Sequence, residues 1–311
     1  MTNNAVPVQN SSVWRRIKRY KAIYFMVIPA VVLVFVFSYM PLFGWILAFK
    51  HYSPATTIWN APWAGLDNFK QFFLMTGDYL YTVRNTLVMN FGVIICNLTA
   101  AFVFSILLYE FRYSFLRKLV QTTTVFPNFI SWTITYSLIY AFFAPSSGVV
   151  NQLLKDAGKS TINVLGSPNY SWTLIILANM WKFVGYNSIL FGAAIAGVEQ
   201  EQFEAAEIDG AGRFAKVWHI LIPHLLPTLS VMVILNSGNV FNSDIGMFSL
   251  FTNPTNWETM EVLDMYIYKF GMQKGNYSYA TAVGIIKSAI SIFMVFLTNG
   301  LSKKLTSKSI F

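Results

Sequence analysis

Six apolar runs, each long enough to cross a bilayer, alternate with polar connections along the chain. A membrane helix needs roughly 20 predominantly apolar residues. The runs fall at about Ile23–Phe49, Thr86–Tyr109, Leu119–Phe143, Ser171–Val198, His224–Gly246 and Ser278–Leu301. Pro29 and Pro41 predict bends in the first, and Pro127 predicts a kink or break in the third. The first run follows a polar leader ending in Arg15, Arg16, Lys18, Arg19 and Lys21. Its apolar part, about 27 residues long, exceeds the roughly 7–15 of a cleavable signal. No small-x-small cleavage site follows, so it reads as a retained helix. The pattern predicts an all-α integral membrane protein: a basic leader over 1–22, one transmembrane domain over 23–301 and a tail over 302–311.

Composition sharpens this. Of 311 residues, 55% are hydrophobic and 11% charged, against roughly 45–50% and about 25% in soluble domains. A chain this apolar cannot cover its surface with polar groups in water, which excludes the soluble and the disordered classes. The net charge of +9 relates to topology rather than to a nucleic-acid face. With the N-terminus inside, the inside segments hold 13 Lys and Arg and the longer outside loops hold 7, as the positive-inside rule requires. Both termini are then cytoplasmic and the chain is multi-pass in the cytoplasmic membrane. The outside loops, about Lys50–Asn85, Ala144–Tyr170 and Met247–Tyr277, are rich in Trp, Tyr, Asn and Pro. They read either as an interfacial aromatic belt or as a docking surface. Cys96 is the sole cysteine, so an intramolecular disulfide and a Cys-cluster metal site are excluded. His51, His219 and His224 lack zinc-protease spacing, and no metal or catalytic constellation emerges.

One connection is unlike the others. Between the fourth and fifth runs stands Glu199-Gln-Glu-Gln-Phe-Glu204-Ala-Ala-Glu-Ile-Asp209-Gly210-Ala-Gly212-Arg-Phe214, then Ile220-Leu-Ile-Pro223. Gln200–Ile208 is rich in helix formers, Gly210 and Gly212 break it, and Ala215–Ile222 is expected to form a second short helix. Phe203, Ala206 and Ile208 would supply an apolar contact, with Glu201, Glu204 and Glu207 facing water or a basic partner. As a bare pattern this is a surface amphipathic hairpin or a force-transmitting one.

The run Glu204-Ala-Ala, three residues, Gly210, nine residues, Ile220-x-Ile222-Pro223 resembles the EAA loop of permease subunits in binding-protein-dependent ABC importers. It departs once, with Ile222 where Leu is usual, a volume-conserving change. The resemblance covers nearly the whole chain, to maltose-type sugar permeases and within them to the oligosaccharide branch associated with lipoprotein binding proteins in Gram-positive bacteria. Its pieces include Tyr39-Met-Pro41, Gly65-Leu-Asp-Asn-Phe69, Asn85-Thr86, Pro127-Asn-Phe-Ile-Ser131-Trp132, Gly148-Val-Val-Asn151, Trp181-Lys182 and Asn276-Tyr-Ser-Tyr279-Ala280. It implies about six transmembrane helices in a type I importer permease fold, with the loop over 199–223 as coupling element. Glu204, Ala205, Ala206, Asp209 and Gly210 would seat on an ATPase. The implied partners are a second homologous permease, two ATPase subunits, a lipid-anchored extracellular solute-binding protein and an oligosaccharide. ATP and Mg would be bound by those ATPases and no cofactor by this chain. The sequence contains no G-x-x-x-x-G-K-[ST], and Gly158-Lys159-Ser160 lacks the upstream glycine.

Ionisable residues inside the runs are functional-site candidates by default. Lys182 and Lys287 lie near the midplane, and Asp244 is expected to pair with either, as a structural pair or a wet cavity wall. Asn179, Lys182 and Tyr186 share a face of the fourth run, and Asn236, Asn239 and Ser243 a face of the fifth. Related maltose-type permeases bind sugar with these two helices, which transfers to Asn179, Lys182, Phe183, Tyr186, Asn236 and Asn239, with Trp132 beside the proline a weaker candidate. Interhelical hydrogen bonding is the competing role for each Asn. An ion-gradient transporter and a membrane glycan-processing enzyme are the rival classes.

Overall fold

The computed structural model describes residues 18, 20–74 and 78–306, with side chains up to about position 300. The basic leader up to 17 and the chain end from 307 lie outside the described residues. The secondary structure is helical, and among the described residues the only β-type pairing is one bridge, Lys50 to Trp63.

The helices are α1 (Lys21–Phe49), α2 (Asp67–Leu74), α3 (Asp78–Tyr109), α4 (Ser114–Val125), α5 (Trp132–Phe143), α6 (Val149–Asp156) and α7 (Pro168–Ala196). They continue as α8 (Gln200–Ile208), α9 (Arg213–Ser237), α10 (Ile245–Phe251), α11 (Trp257–Met260), α12 (Leu263–Tyr268) and α13 (Tyr277–Thr306). Five of these, α1, α3, α7, α9 and α13, are long and apolar enough to cross a membrane. The third predicted run is divided between α4 and the shorter apolar α5, separated by a 3₁₀ turn at Phe126–Phe129. Pro127 is the cause, since it offers no N–H to continue the ladder.

Helix α3 is the spine, and three apolar clusters are stacked along it. Phe72, Phe241, Tyr266 and Tyr279 gather against Val83 and Leu87. Met89 packs with Ile175, Phe248 and Val262. Leu98 and Ala101 pack with Phe191, Ile195, Leu221 and Leu225. Helix α7 makes the most extensive contact with this spine. Helix α1 differs: its first part, Lys21–Val34, buries no residue, whereas its end packs against α13 and α2.

Three expectations are corrected. Ala215–Ile222 is not a separate helix, because α9 runs unbroken from Arg213 to Ser237. A π-turn at Val217–Leu221 precedes Pro223 and accommodates the lost donor without a stop. The fifth crossing also ends at Ser237 rather than Gly246, with turns and extended chain up to Asp244. The apolar Val240 and Phe241 that prolong the hydrophobic run past the helix end are core residues of the first cluster. The third outside connection, expected as a loop, contains α10, α11 and α12.

Gly185 sets how closely α7 approaches α4. A Cβ there would stand 2.3 Å from the Thr124 carbonyl atoms, whereas one at Gly192 would meet nothing within 4 Å. Gly185→Ala is therefore expected to lower thermal stability in nanodiscs by overpacking worth about 1–3 kcal/mol, and Gly192→Ala to leave it unchanged. Equal melting temperatures for the two variants would contradict this packing.

Candidate functional site

Breaks in membrane helices free peptide groups that lipid cannot satisfy. At the first break, Lys182 of α7, 4% exposed, meets this need. Its ammonium donates to the carbonyls of Pro127 (3.1 Å), Asn128 (3.2 Å) and Ile130. The rings of Trp132 and Phe183 flank it at 5.3 and 5.6 Å, and their own centroids are 6.3 Å apart. The cation is thus paired with backbone dipoles and aromatic faces, all three of its protons being used.

The second break, between α9 and α10, is tied to the first. Asp244 Oδ1 accepts from the Met247 N–H at 3.1 Å and caps α10, while Oδ2 accepts from Trp132 Nε1 at 2.8 Å. The expected pairing of Asp244 with a lysine is therefore not found: among the described residues it forms no ion pair, its oxygens being taken by a helix end and an indole. Lys287 instead pairs with Asp264 at 2.5 Å, and Asp264 also accepts from the Ser243 N–H at 2.6 Å. Asparagines of α3 serve the same irregular chain. Asn90 donates to Val240 O (2.7 Å) and Ser243 Oγ (3.0 Å), and Asn85 to the Glu258 and Glu261 carbonyls.

Trp132, Lys182 and Phe183 come together as one cluster, and Ser243 joins it through its neighbour Asp244. Asn179 accepts from Asn97 Nδ2 at 2.7 Å and faces Met247, so it also joins α3 to α7. Tyr186 is half exposed, Asn236 donates to the Met232 carbonyl within α9, and Asn239, just past its end, donates to the Leu235 carbonyl. Among the described residues, no hydrogen bond joins Asn236 or Asn239 to Asn179, Lys182 or Tyr186. Asn90 and Asp264 carry no signal in the sequence, because Asn90 lies in an apolar run and Asp264 in what reads as a loop.

At the far end of the bundle, α8 stands clear of it. Glu204, Ala205 and Asp209 are exposed and Ala206 is half-buried. Gly210 has φ +77°, a left-handed conformation that favours glycine. Phe203 anchors the helix by apolar contact, 5.7 Å from the Tyr109 ring and against the third apolar cluster. Ile208, expected to share that contact, is 88% exposed, because the helix ends there and turns it outward; Phe214 is 92% exposed. Lys216 and Glu207 pair across the turn at 3.0 Å.

Helices broken at membrane depth around polar side chains, with a protruding helical hairpin at one end, define a membrane transport subunit. The chain belongs to the family of binding-protein-dependent transport system inner membrane components, whose model matches residues 79–307, and it is accordingly a permease of the ABC sugar-importer type. It is 37% identical to protein LplB of Bacillus subtilis over 295 residues, covering 95% of this chain and 92% of that one. The polygalacturonan/rhamnogalacturonan transport system permease protein YteP of the same bacterium is 33% identical over 291 residues, with coverages of 94% and 90%. A solved bacterial alginate ABC transporter, in complex with alginate pentasaccharide-bound periplasmic protein, superposes with a TM-score of 0.88 at 29% identity. That match covers 96% of this chain and 100% of the other.

Removing the Lys182 ammonium would orphan three carbonyls. Lys182→Met is expected to destabilise the folded permease by about 1–3 kcal/mol, read as a lower melting temperature in nanodiscs. An unchanged melting temperature would show that water serves the break just as well.

Proposed function

We propose that the chain is one of two permease subunits of an ATP-driven importer whose cargo is an oligosaccharide. The observation that carries this reading is the pair of helix breaks joined by Trp132 and Asp244. Irregular backbone at membrane depth is tolerated where it is buried in protein or lines a water-filled cavity, and substrate sites of transporters form at discontinuous helices. The half-exposed faces next to these breaks carry Asn179, Tyr186, Asn236 and Asn239, with Trp132 and Phe183 beside them. Amide groups hydrogen-bond hydroxyls and aromatic faces cover pyranose rings, which is the chemistry a glycan needs. The relative YteP belongs to a polygalacturonan/rhamnogalacturonan transport system and the structural neighbour to an alginate transporter, which favours a chain of several rings over a single sugar.

Power enters through α8. Its exposed acidic face and the apolar Ile208 fit a cleft on an ATPase subunit, placed on the cytoplasmic side by the basic-residue asymmetry of the sequence. Phe203 passes a push to α3, and α9 passes it on as one continuous helix. Its 25 residues span about 36 Å at 1.5 Å each, from the hairpin to Asn236. ATP and Mg belong to the two ATPase subunits, and a lipid-anchored binding protein delivers the glycan outside. A gradient-driven carrier or a membrane glycan enzyme would need no such ATPase, so co-purification of one with this chain separates the classes.

Gly210→Pro cannot adopt φ +77°, and Glu204→Lys reverses a charge on the docking face. Each is expected to abolish uptake, or to uncouple ATP hydrolysis from it, at unchanged membrane levels. Normal glycan-stimulated ATPase activity in both variants would refute the coupling role. Asn179→Ala and Asn236→Ala are expected to lower uptake about tenfold, the worth of one hydrogen bond of ~1.4 kcal/mol, while the complex still assembles. Wild-type uptake across a substrate titration would remove these residues from the path.

A further inference from the structure

A cavity of about 710 Å³ lies beside the second break, between the end of α1, the chain after α9 and the face of α13. Its walls carry the Asp264–Lys287 pair, whose side chains are 16% and 15% exposed. Lys287 stands ten residues into α13, about 15 Å along its axis at 1.5 Å per residue. Charged groups at such depth face a bundle interior or a water-filled space rather than hydrocarbon.

The groups on these walls are not saturated. Lys287 gives one proton to Asp264 and holds two more. Asn242 donates its amide to Asn239 at 2.9 Å, which leaves its carbonyl oxygen to accept from elsewhere. The Ser291 hydroxyl is buried and has no hydrogen-bond partner among the described residues. Trp45 and Tyr268, 42% and 44% exposed, supply flat apolar walls, and at Gly284 a Cβ would meet nothing within 4 Å. The Asn242–Asn239 bond links the cavity wall to the chain just past the end of α9.

We propose that this cavity is a second glycan subsite, holding one or more rings of the oligosaccharide beyond the ring at Asn236 and Asn239. The inference rests on the oligosaccharide reading above. Donors, acceptors and aromatic walls around a charge-neutral pair match the alternating hydroxyls and apolar faces of pyranose rings. An acyl chain would leave every one of the polar groups unmet. The volume falls in the roughly 300–1,000 Å³ range of small-ligand sites.

The test uses the sole cysteine. In a Cys96→Ser background, the assembled importer in nanodiscs carries Thr281→Cys, Ser288→Cys, Asn239→Cys or, as a lipid-facing control, Phe296→Cys. A charged methanethiosulfonate reports access to water, since only an ionised thiol reacts. Thr281→Cys or Ser288→Cys is expected to react about tenfold or more faster than Phe296→Cys. Maltotriose, trigalacturonate or chitotriose is expected to slow that reaction, and the matching monosaccharide to leave it unchanged. Reaction at both positions no faster than the control, or unaffected by all three trisaccharides, overturns the subsite. Protection of Asn239→Cys alone overturns the subsite and leaves the oligosaccharide path standing; protection nowhere overturns both.

Discussion

Peptide groups released at membrane depth must find their hydrogen bonds inside the protein, and this requirement organises the whole bundle. Lipid offers no partner, and each group left unmet costs several kcal/mol. The chain breaks two of its crossings and supplies the missing partners from three other helices. Lys182 of α7 takes the carbonyls at the Pro127 break. Asn85 and Asn90 of α3 take those of the chain between α9 and α12, and Lys287 of α13 holds Asp264, which receives Ser243. The apolar clusters then pack around a scaffold whose polar geometry is already fixed.

This arrangement gives the breaks a defined shape and leaves selected polar groups beside them open. Trp132 and Asp244 join the two breaks, so a shift of one half of the bundle is felt by both. The continuity of α9 matters here. A hairpin of two short helices would flex at its second joint, whereas a single rod from Arg213 to Ser237 moves Asn236 with the hairpin. Helix α8 is held to the bundle at Phe203 and through the Glu207–Lys216 pair and is largely exposed elsewhere, a geometry that receives force from outside and delivers it to α3 and α9.

The crossings were legible in the sequence because hydropathy over some twenty residues is a strong signal, and the Pro127 break because a proline removes a donor. The end of α9 was not, since Val240 and Phe241 continue the apolar run into chain that is buried by packing rather than by lipid. The partner of Lys287 was missed for a related reason: Asp264 lies in a connection that reads as loop but folds into the core as α12. Pairing between residues separated by a turn and a break leaves no periodic trace. The hairpin was legible through Gly210, whose left-handed backbone has a residue-level signature, while the outward turn of Ile208 depends on where the helix stops. Of the path candidates, Trp132, Lys182 and Phe183 come together at the first break. Lys182, however, spends its protons on backbone carbonyls.

An electron cryo-microscopy structure of the purified complex, prepared with its binding protein and a bound glycan, tests the central claim most directly. The account predicts glycan density against Asn179 and Asn236 between the two breaks, with Gln200–Ile208 seated in an ATPase cleft. Glycan density remote from both breaks, or a bare α8 in a complex that hydrolyses ATP during uptake, would contradict it.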